Sequence, residues 1–180
     1  EFFEQKGYDA MLSLRNQGVV SAIGAGTNEW EVCQNLAERG DFDLFLLAGR
    51  YTLLEQEAIK SFLPLCESRG IGIVTGGPYN SGILATGAVS GAFYNYDPAS
   101  KSILKKVAAI EAICRDYDTP LKAAALQFPL LHPTHVSVIP GGQNILEMKS
   151  NFEAYNFEIP NELWTALKNA GFIHPDSITD

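Results

Sequence analysis

The sequence predicts a parallel α/β fold in which four βα units follow one another. Three observations carry this reading. Short apolar runs alternate with stretches of helical periodicity, the runs are apolar on both faces, and the glycine turns fall on the strand-to-helix side. Strands apolar on both faces are covered by helices on both sides, and in such sheets ligands meet the carboxyl ends of the strands.

Each element has its own justification. Residues 8–16 carry Ala10, Met11, Leu12 and Leu14 at helical spacing and stop at Gly18. The first strand follows as Val19-Val20-Ser21-Ala22-Ile23 and ends in Gly24-Ala25-Gly26. Thr27 or Asn28 then caps a helix over residues 29–39, whose apolar side is Trp30, Val32, Cys33, Leu36 and Ala37 and whose stop is Gly40. A second strand, residues 42–47, is apolar apart from Asp43 and ends in Ala48-Gly49. Residues 53–69 read as a helix that contains Pro64 and closes at Gly70. The third strand, Ile71-Gly72-Ile73-Val74, runs into the loop Thr75 to Leu84. Residues 85–97 form a small-residue and aromatic excursion before helices over 100–117 and 119–131, and such an excursion at a strand end suits a ligand-facing loop. The fourth strand, residues 136–139, ends in Pro140-Gly141-Gly142 and leads to a helix over about 145–155. The tail adds a short helix around residues 163–170, with Trp164, Phe172 and Ile173 packing back on one domain.

Composition limits the function. At 180 residues and 46% hydrophobic content the chain can bury a core without a disulfide staple. Cys33, Cys66 and Cys114 are odd in number, widely spaced and set in apolar helical patterns, so they read as reduced core thiols of a cytoplasmic protein, with no metal knuckle among them. A net charge of −8 disfavours nucleic acid as a partner. No run approaches the roughly 20 apolar residues that span a bilayer. The opening residues 1–6 lack a basic region followed by an apolar one, and they start without Met inside helix-like sequence, so an N-terminal part is expected to be missing.

The loop after the third strand is the candidate site. Gly76, Gly77 and Gly82 leave backbone amides bare, and Tyr79, Asn80 and Ser81 add hydroxyl and amide groups, which together make either an anion cradle or an unliganded turn. Two architectures compete. A doubly wound sheet takes Gly24-Ala25-Gly26 as a dinucleotide fingerprint, yet Glu29 stands at the third glycine position, and Asp41 and Asp43 open the next strand instead of ending it. Half of a (β/α)8 barrel puts a site in every glycine turn, which matches the pattern.

Four stretches in register add a resemblance: Gln17 to Trp30 with Gly24-Ala25-Gly26-Thr27-Asn28-Glu29-Trp30, then Tyr51-Thr52-Leu53-Leu54, then Gly70-Ile71-Gly72-Ile73 leading to Pro78-Tyr79-Asn80-Ser81-Gly82-Ile83-Leu84, then Val138-Ile139-Pro140-Gly141-Gly142 with Asn151. Over nearly the whole chain they resemble the C-terminal half of an aldo-keto reductase, within the group of D-threo-aldose, L-fucose and D-galactose 1-dehydrogenases and pyridoxal dehydrogenases. The resemblance implies a TIM (β/α)8 barrel of which this chain supplies the last four βα units. It also implies NAD(P)-dependent hydride transfer on a small sugar or aldehyde, an aldose oxidised at C1 being the nearest case.

The resemblance assigns roles by position. The family's carboxamide-holding pair aligns with Gly26-Thr27 or Thr27-Asn28, so Thr27 and Asn28 are the expected nicotinamide contacts. A glutamine usual in the family falls on Ala48 and a stacking aromatic on Gly76, leaving Tyr51 or Tyr79 to supply ring surface. The loop Gly77-Pro78-Tyr79-Asn80-Ser81 matches the pyrophosphate wrap. Gly141, Gly142, Gln143 and Glu147 stand at the adenosine ribose, where relatives that bind a 2′-phosphate carry cations, so NAD is expected over NADP. Asn151 matches the adenine contact. The family's proton-donating Tyr and its Lys, Asp and His partners would precede Glu1, so no catalytic residue is assigned, and the chain alone is expected to be inactive. His132 and His135 read as structural. The alternative is a non-enzymatic nucleotide-binding or structural half-barrel. In either case open edges at residues 19–23 and 136–139 invite self-association.

Overall fold

The computed structural model describes residues 6–179, so the reading of residues 1–5 as helix-like lies outside the described residues. In chain order the elements are α1 (Gly7–Asn16), β1 (Gly24–Thr27), α2 (Trp30–Arg39), β2 (Leu44–Ala48), a 3-10 turn (Glu57–Lys60), α3 (Phe62–Arg69) and β3 (Gly72–Gly76). There follow α4 (Ile83–Thr86), a hairpin of β4 (Phe93–Tyr94) and β5 (Asp97–Pro98), α5 (Lys101–Asp116), α6 (Leu121–Gln127), a second 3-10 turn (Phe128–Leu131), β6 (His135–Ile139), α7 (Ile145–Tyr155) and α8 (Asn161–Asn169).

The main sheet has the order β1-β2-β3-β6, and every pair in it is parallel. Each new strand is added at the same edge. A doubly wound sheet needs a point where strand order reverses, and this one has none, so it grows in the manner of a barrel wall.

Burial alternates along β2 as a pleated strand requires: Phe45 and Leu47 are buried and Leu46 is exposed. Phe45 packs between Phe42 and Phe62, with ring centroids 5.3 and 5.8 Å away. Cys33, Cys66 and Cys114 are buried free thiols of this core, and burial pushes the first two up to about 12, which removes their nucleophilic form at neutral pH. At the amino end of the sheet Arg15 Nη1 lies 2.7 Å from Asp43 Oδ2, which also accepts the Ile23 N–H at 2.7 Å. Burial raises the Asp43 carboxyl, but those two partners outweigh it and hold the group below its ordinary value.

Three expectations about elements are corrected. The first strand is Gly24–Thr27, not residues 19–23: Val19 is exposed in the turn after α1, and the glycines taken for a turn are the strand. At Gly24 smallness has a packing reason, since a Cβ there would sit 2.3 Å from the Leu44 carbonyl oxygen. Residues 53–69 are not one helix. The Thr52 hydroxyl accepts from the Leu54 and Glu55 amides and diverts the chain, and Pro64 falls in the first turn of α3, where its missing N–H is tolerated. Neither Thr27 nor Asn28 is the N-cap of α2; Glu29 is, while the Thr27 hydroxyl accepts from the Glu29 amide at 3.2 Å.

Candidate functional site

The carboxyl ends of β1, β2 and β3 meet in a cleft of about 120 Å³ whose wall includes Asn28, Gly49, Arg50, Gly77, Ser81 and Asn95. Its shape comes from left-handed backbone: Gly49 and Gly77 have φ of 68° and 55°, and Asn80 and Ser81 follow at 45° and 60°. Glycine takes such values freely and asparagine more readily than most residues. Asn80 locks the two loops together. Its Nδ2 donates to the Gly49 carbonyl at 3.1 Å, and its Oδ1 accepts from the Thr52 hydroxyl at 2.6 Å, all within a buried side chain.

The β4–β5 hairpin closes over this cleft. Asn95 and Tyr96 at its tip are both left-handed, the backbone that a two-residue hairpin turn demands. The Tyr96 N–H donates to Ser81 Oγ at 2.9 Å, and the Tyr94 hydroxyl donates to Glu55. Burial, reinforced by the Glu55 carboxylate, drives the Tyr94 phenol far above its ordinary value, so it does not release a proton at neutral pH.

A second cluster stands at the end of β6. The Asn144 side chain caps α7 by accepting the Glu147 N–H at 3.0 Å, while Glu147 accepts from the Gln143 N–H at 2.8 Å and from Asn144 Nδ2 at 2.9 Å. The carboxylate thus reaches back over the start of α7 in a relative of the capping box, holding the amide before the cap and the cap's own side chain, so it has a structural task of its own. Asn151 is buried, donating to the Gly141 carbonyl at 3.0 Å and accepting from the Tyr79 hydroxyl at 3.0 Å. Burial raises the Tyr79 phenol, which keeps it a donor, and Lys122 Nζ lies 5.5 Å from its ring centroid.

The structure therefore places the expected residues in two groups joined by one hydrogen bond. Asn28, Gly77 and Ser81 line the cleft at the strand ends, with Thr27 at the end of β1 beside them. Gly141, Gly142, Gln143 and Glu147 lie exposed at the start of α7, and the Tyr79–Asn151 bond links them to the loop of Pro78. Tyr51 is not brought to the cleft. Its ring is 1% exposed, stacks 4.8 Å from His135 and 5.1 Å from Phe128, and offers no face to a ligand. Sequence reasoning missed Arg50, which directly follows Gly49 at the end of β2; Asn80, read as one of the polar groups of the loop, turns out to tie two loops together. Among the described residues no group of His, Cys, Asp and Glu is arranged to hold a metal, and no helix is long and apolar enough to cross a membrane.

The expected bare amides are in part taken up by the loops themselves, since the Gly82 N–H donates to the Tyr79 carbonyl and the Asn80 N–H to the Gly77 carbonyl; the Asn28 side chain and the Arg50 guanidinium at the ends of parallel strands still suit an anionic ligand with a polar head group. Known proteins share this frame. The chain is 38% identical over 167 residues to the pyridoxal 4-dehydrogenase of Microbacterium luteolum, a match covering 93% of this chain and 49% of that protein. It is also 38% identical over 167 residues to a D-threo-aldose 1-dehydrogenase of Pseudomonas sp, covering 92% of this chain and 51% of the relative. The chain thus spans about half the length of the curated relatives it matches. Among solved structures, the holo form of an aldo-keto reductase from Bacillus halodurans superposes with a TM-score of 0.68 at 21% identity, over 90% of this chain and 54% of that one. Its apo form gives 0.71 at 22% identity, over 92% and 56%. These superpositions identify the open parallel sheet as part of an α/β barrel. The sequence profile of the aldo/keto reductase family matches residues 4–171, and on that match, the two 38% relatives and the shared barrel frame, the chain belongs to the aldo/keto reductase family.

Proposed function

We propose that this chain is the cofactor-holding part of an NAD(P)-dependent oxidoreductase that oxidises an aldose at C1, or a related alcohol or aldehyde, by hydride transfer. The observation that carries the reading is the convergence of Asn28, Gly77 and Ser81 on one cleft, tied through Tyr79 and Asn151 to the loop Gly141 to Glu147. In this reading a dinucleotide runs from the cleft to that loop, with its polar head group at one end and a ribose at the other. The cofactor brings the hydride chemistry; this chain's residues bind and orient it. The two relatives at 38% identity, named for pyridoxal and D-threo-aldose oxidation, support a small polar substrate. A general acid at the reacting oxygen comes from outside these 180 residues in this reading, so the chain alone binds cofactor without turning over.

NAD is the preferred form. Glu147 presents a carboxylate where a 2′-phosphate would lie, and a free ribose hydroxyl can donate to it. We also propose that the chain by itself pairs with a second copy across its open side, where the unpaired edge of β6 adjoins exposed Ile145, Met148 and Phe152.

Fluorescence titration with NADH and NADPH tests the assignment. NADH should bind about tenfold or more tightly, the effect of one charge-assisted contact. Glu147→Gln, which keeps an acceptor for the cap, should narrow the gap, and Glu147→Arg should narrow it further. A wild-type preference for NADPH, or a ratio that neither substitution moves, overturns the NAD assignment.

A further inference from the structure

Arg50 lies at the centre of the strand-end loops and has no part in the cofactor contacts assigned by resemblance. It follows Gly49 at the end of β2, and its guanidinium reaches to the neighbouring loops on both sides. Nε donates to the Asn28 carbonyl at 2.7 Å, just beyond β1. Nη1 donates to Asn95 Oδ1 at 3.3 Å, on the hairpin that follows β3, and lies 3.5 Å from Glu55 Oε1. Nη2 has no hydrogen-bond partner among the described residues. The residue forms part of the wall between the 120 Å³ cleft and an adjoining one of about 550 Å³ that Asn28, Trp30 and Glu55 also line.

These contacts differ in strength. The bond to Asn28 is short and fixes the inner end of the guanidinium, whereas the bond to Asn95 is long, has a neutral acceptor and ends on an exposed hairpin tip. Glu55 is shared, because it also takes the Tyr94 hydroxyl and attracts the half-buried Lys106 ammonium. A guanidinium anchored at one nitrogen and weakly held at its fork is prepared for a bidentate oxyanion. An arriving phosphoryl oxygen would replace the Asn95 amide, gaining charge assistance that the amide lacks, and would compete with the Glu55 carboxylate 3.5 Å from the same nitrogen, which Tyr94 and Lys106 partly engage elsewhere. The left-handed Gly77 lines the same cleft.

We propose that Arg50 is the cation that receives a phosphoryl oxygen of the dinucleotide at the strand ends, exchanging its Asn95 contact for the anion. The inference rests on the dinucleotide reading above, and the choice of probes separates the two. NADH binding followed by fluorescence and inorganic pyrophosphate binding followed by calorimetry are measured on the intact chain and on Arg50→Met, Arg50→Lys and Asn95→Ala. Arg50→Met should lose about tenfold or more in affinity for both probes. Arg50→Lys, which keeps the charge without the fork, should recover part of the loss and serves as the comparison if Arg50→Met melts early. Asn95→Ala should bind at least as tightly as wild type, since it removes the competing acceptor. Pyrophosphate binding that depends on Arg50, with no NADH binding, leaves the anion role standing and overturns the dinucleotide reading. NADH binding that both Arg50 variants retain at wild-type strength overturns the Arg50 role alone. A wild-type chain that binds neither probe overturns both.

Discussion

Helix α6 buries Leu121, Ala123, Ala124, Ala125 and Leu126, whereas α7, four residues longer, buries only Asn151 and Ala154 and leaves Ile145, Leu146, Met148, Phe152 and Tyr155 exposed. The two helices are in contact with each other, so local sequence does not explain the contrast. Position does. α6 has neighbours on both sides, while α7 follows β6, the edge strand of the sheet, and is covered on one side only. An apolar stripe at positions 145, 148, 152 and 155 recurs at helical spacing, as on a core helix, and here it faces open solvent.

The sharpest way to break this comparison is to remove one aromatic ring from each side. Phe45→Ala, inside the closed layer, should lower stability by about 3–5 kcal/mol in a denaturant melt, the usual loss for a buried aromatic. Phe152→Ala, at 70% exposure, should change it by less than about 0.5 kcal/mol and should shift sedimentation velocity profiles toward the monomer. Equal melting losses for the two variants would erase the distinction between the sides. An unchanged sedimentation profile would remove α7 from the self-association.

Acid should probe the boundary between the two sides. His135 opens β6 and is buried under the Tyr51 ring, and burial lowers its imidazole to about 3, with His132 adding repulsion. The unfolded chain takes up a proton below about 6.5 that the folded chain refuses until about 3. Stability should therefore fall as pH drops through that window and level off beneath it. His135→Phe, which keeps a ring on Tyr51, should flatten that limb of the urea-midpoint profile. A wild-type midpoint that does not vary between those limits would refute the burial of His135 at this boundary.

Much of the fold was legible because βα repetition is written locally. The runs around Phe45 and Ile73 are apolar on both faces, and Gly40 and Gly70 mark helix ends in the primary structure. Legibility failed where distant partners decided. Gly24-Ala25-Gly26 looks like a turn until the Leu44 carbonyl is seen to leave no room for a side chain. The site behaved similarly. The loop glycines and the Asn28 position followed from strand ends and motif register, but the importance of Asn80 depends on Gly49, and that of Arg50 on Asn28 and Asn95. Glu147 was readable by resemblance as a ribose contact; its hydrogen bonds to residues 143 and 144 show a second role, in capping α7.

The order of strands also bears on how the chain closes up in time. Gly24 pairs with Leu44 and Leu44 with Gly72, short separations, but Ile73 reaches its partner His135 only after the whole excursion from α4 to the second 3-10 turn. Roughly doubling a loop adds about 0.6 kcal/mol to the entropy of closing it, so the pairing of β3 with β6 is the most expensive contact of the sheet to form. Both β1 and β6 are edge strands, but β6 closes the longer loop, so it should be the last strand to dock and the first to leave. Native-state hydrogen exchange should show its amides losing protection ahead of those in β2 and β3; equal protection along all three would mean that the excursion is itself folded before the strand arrives.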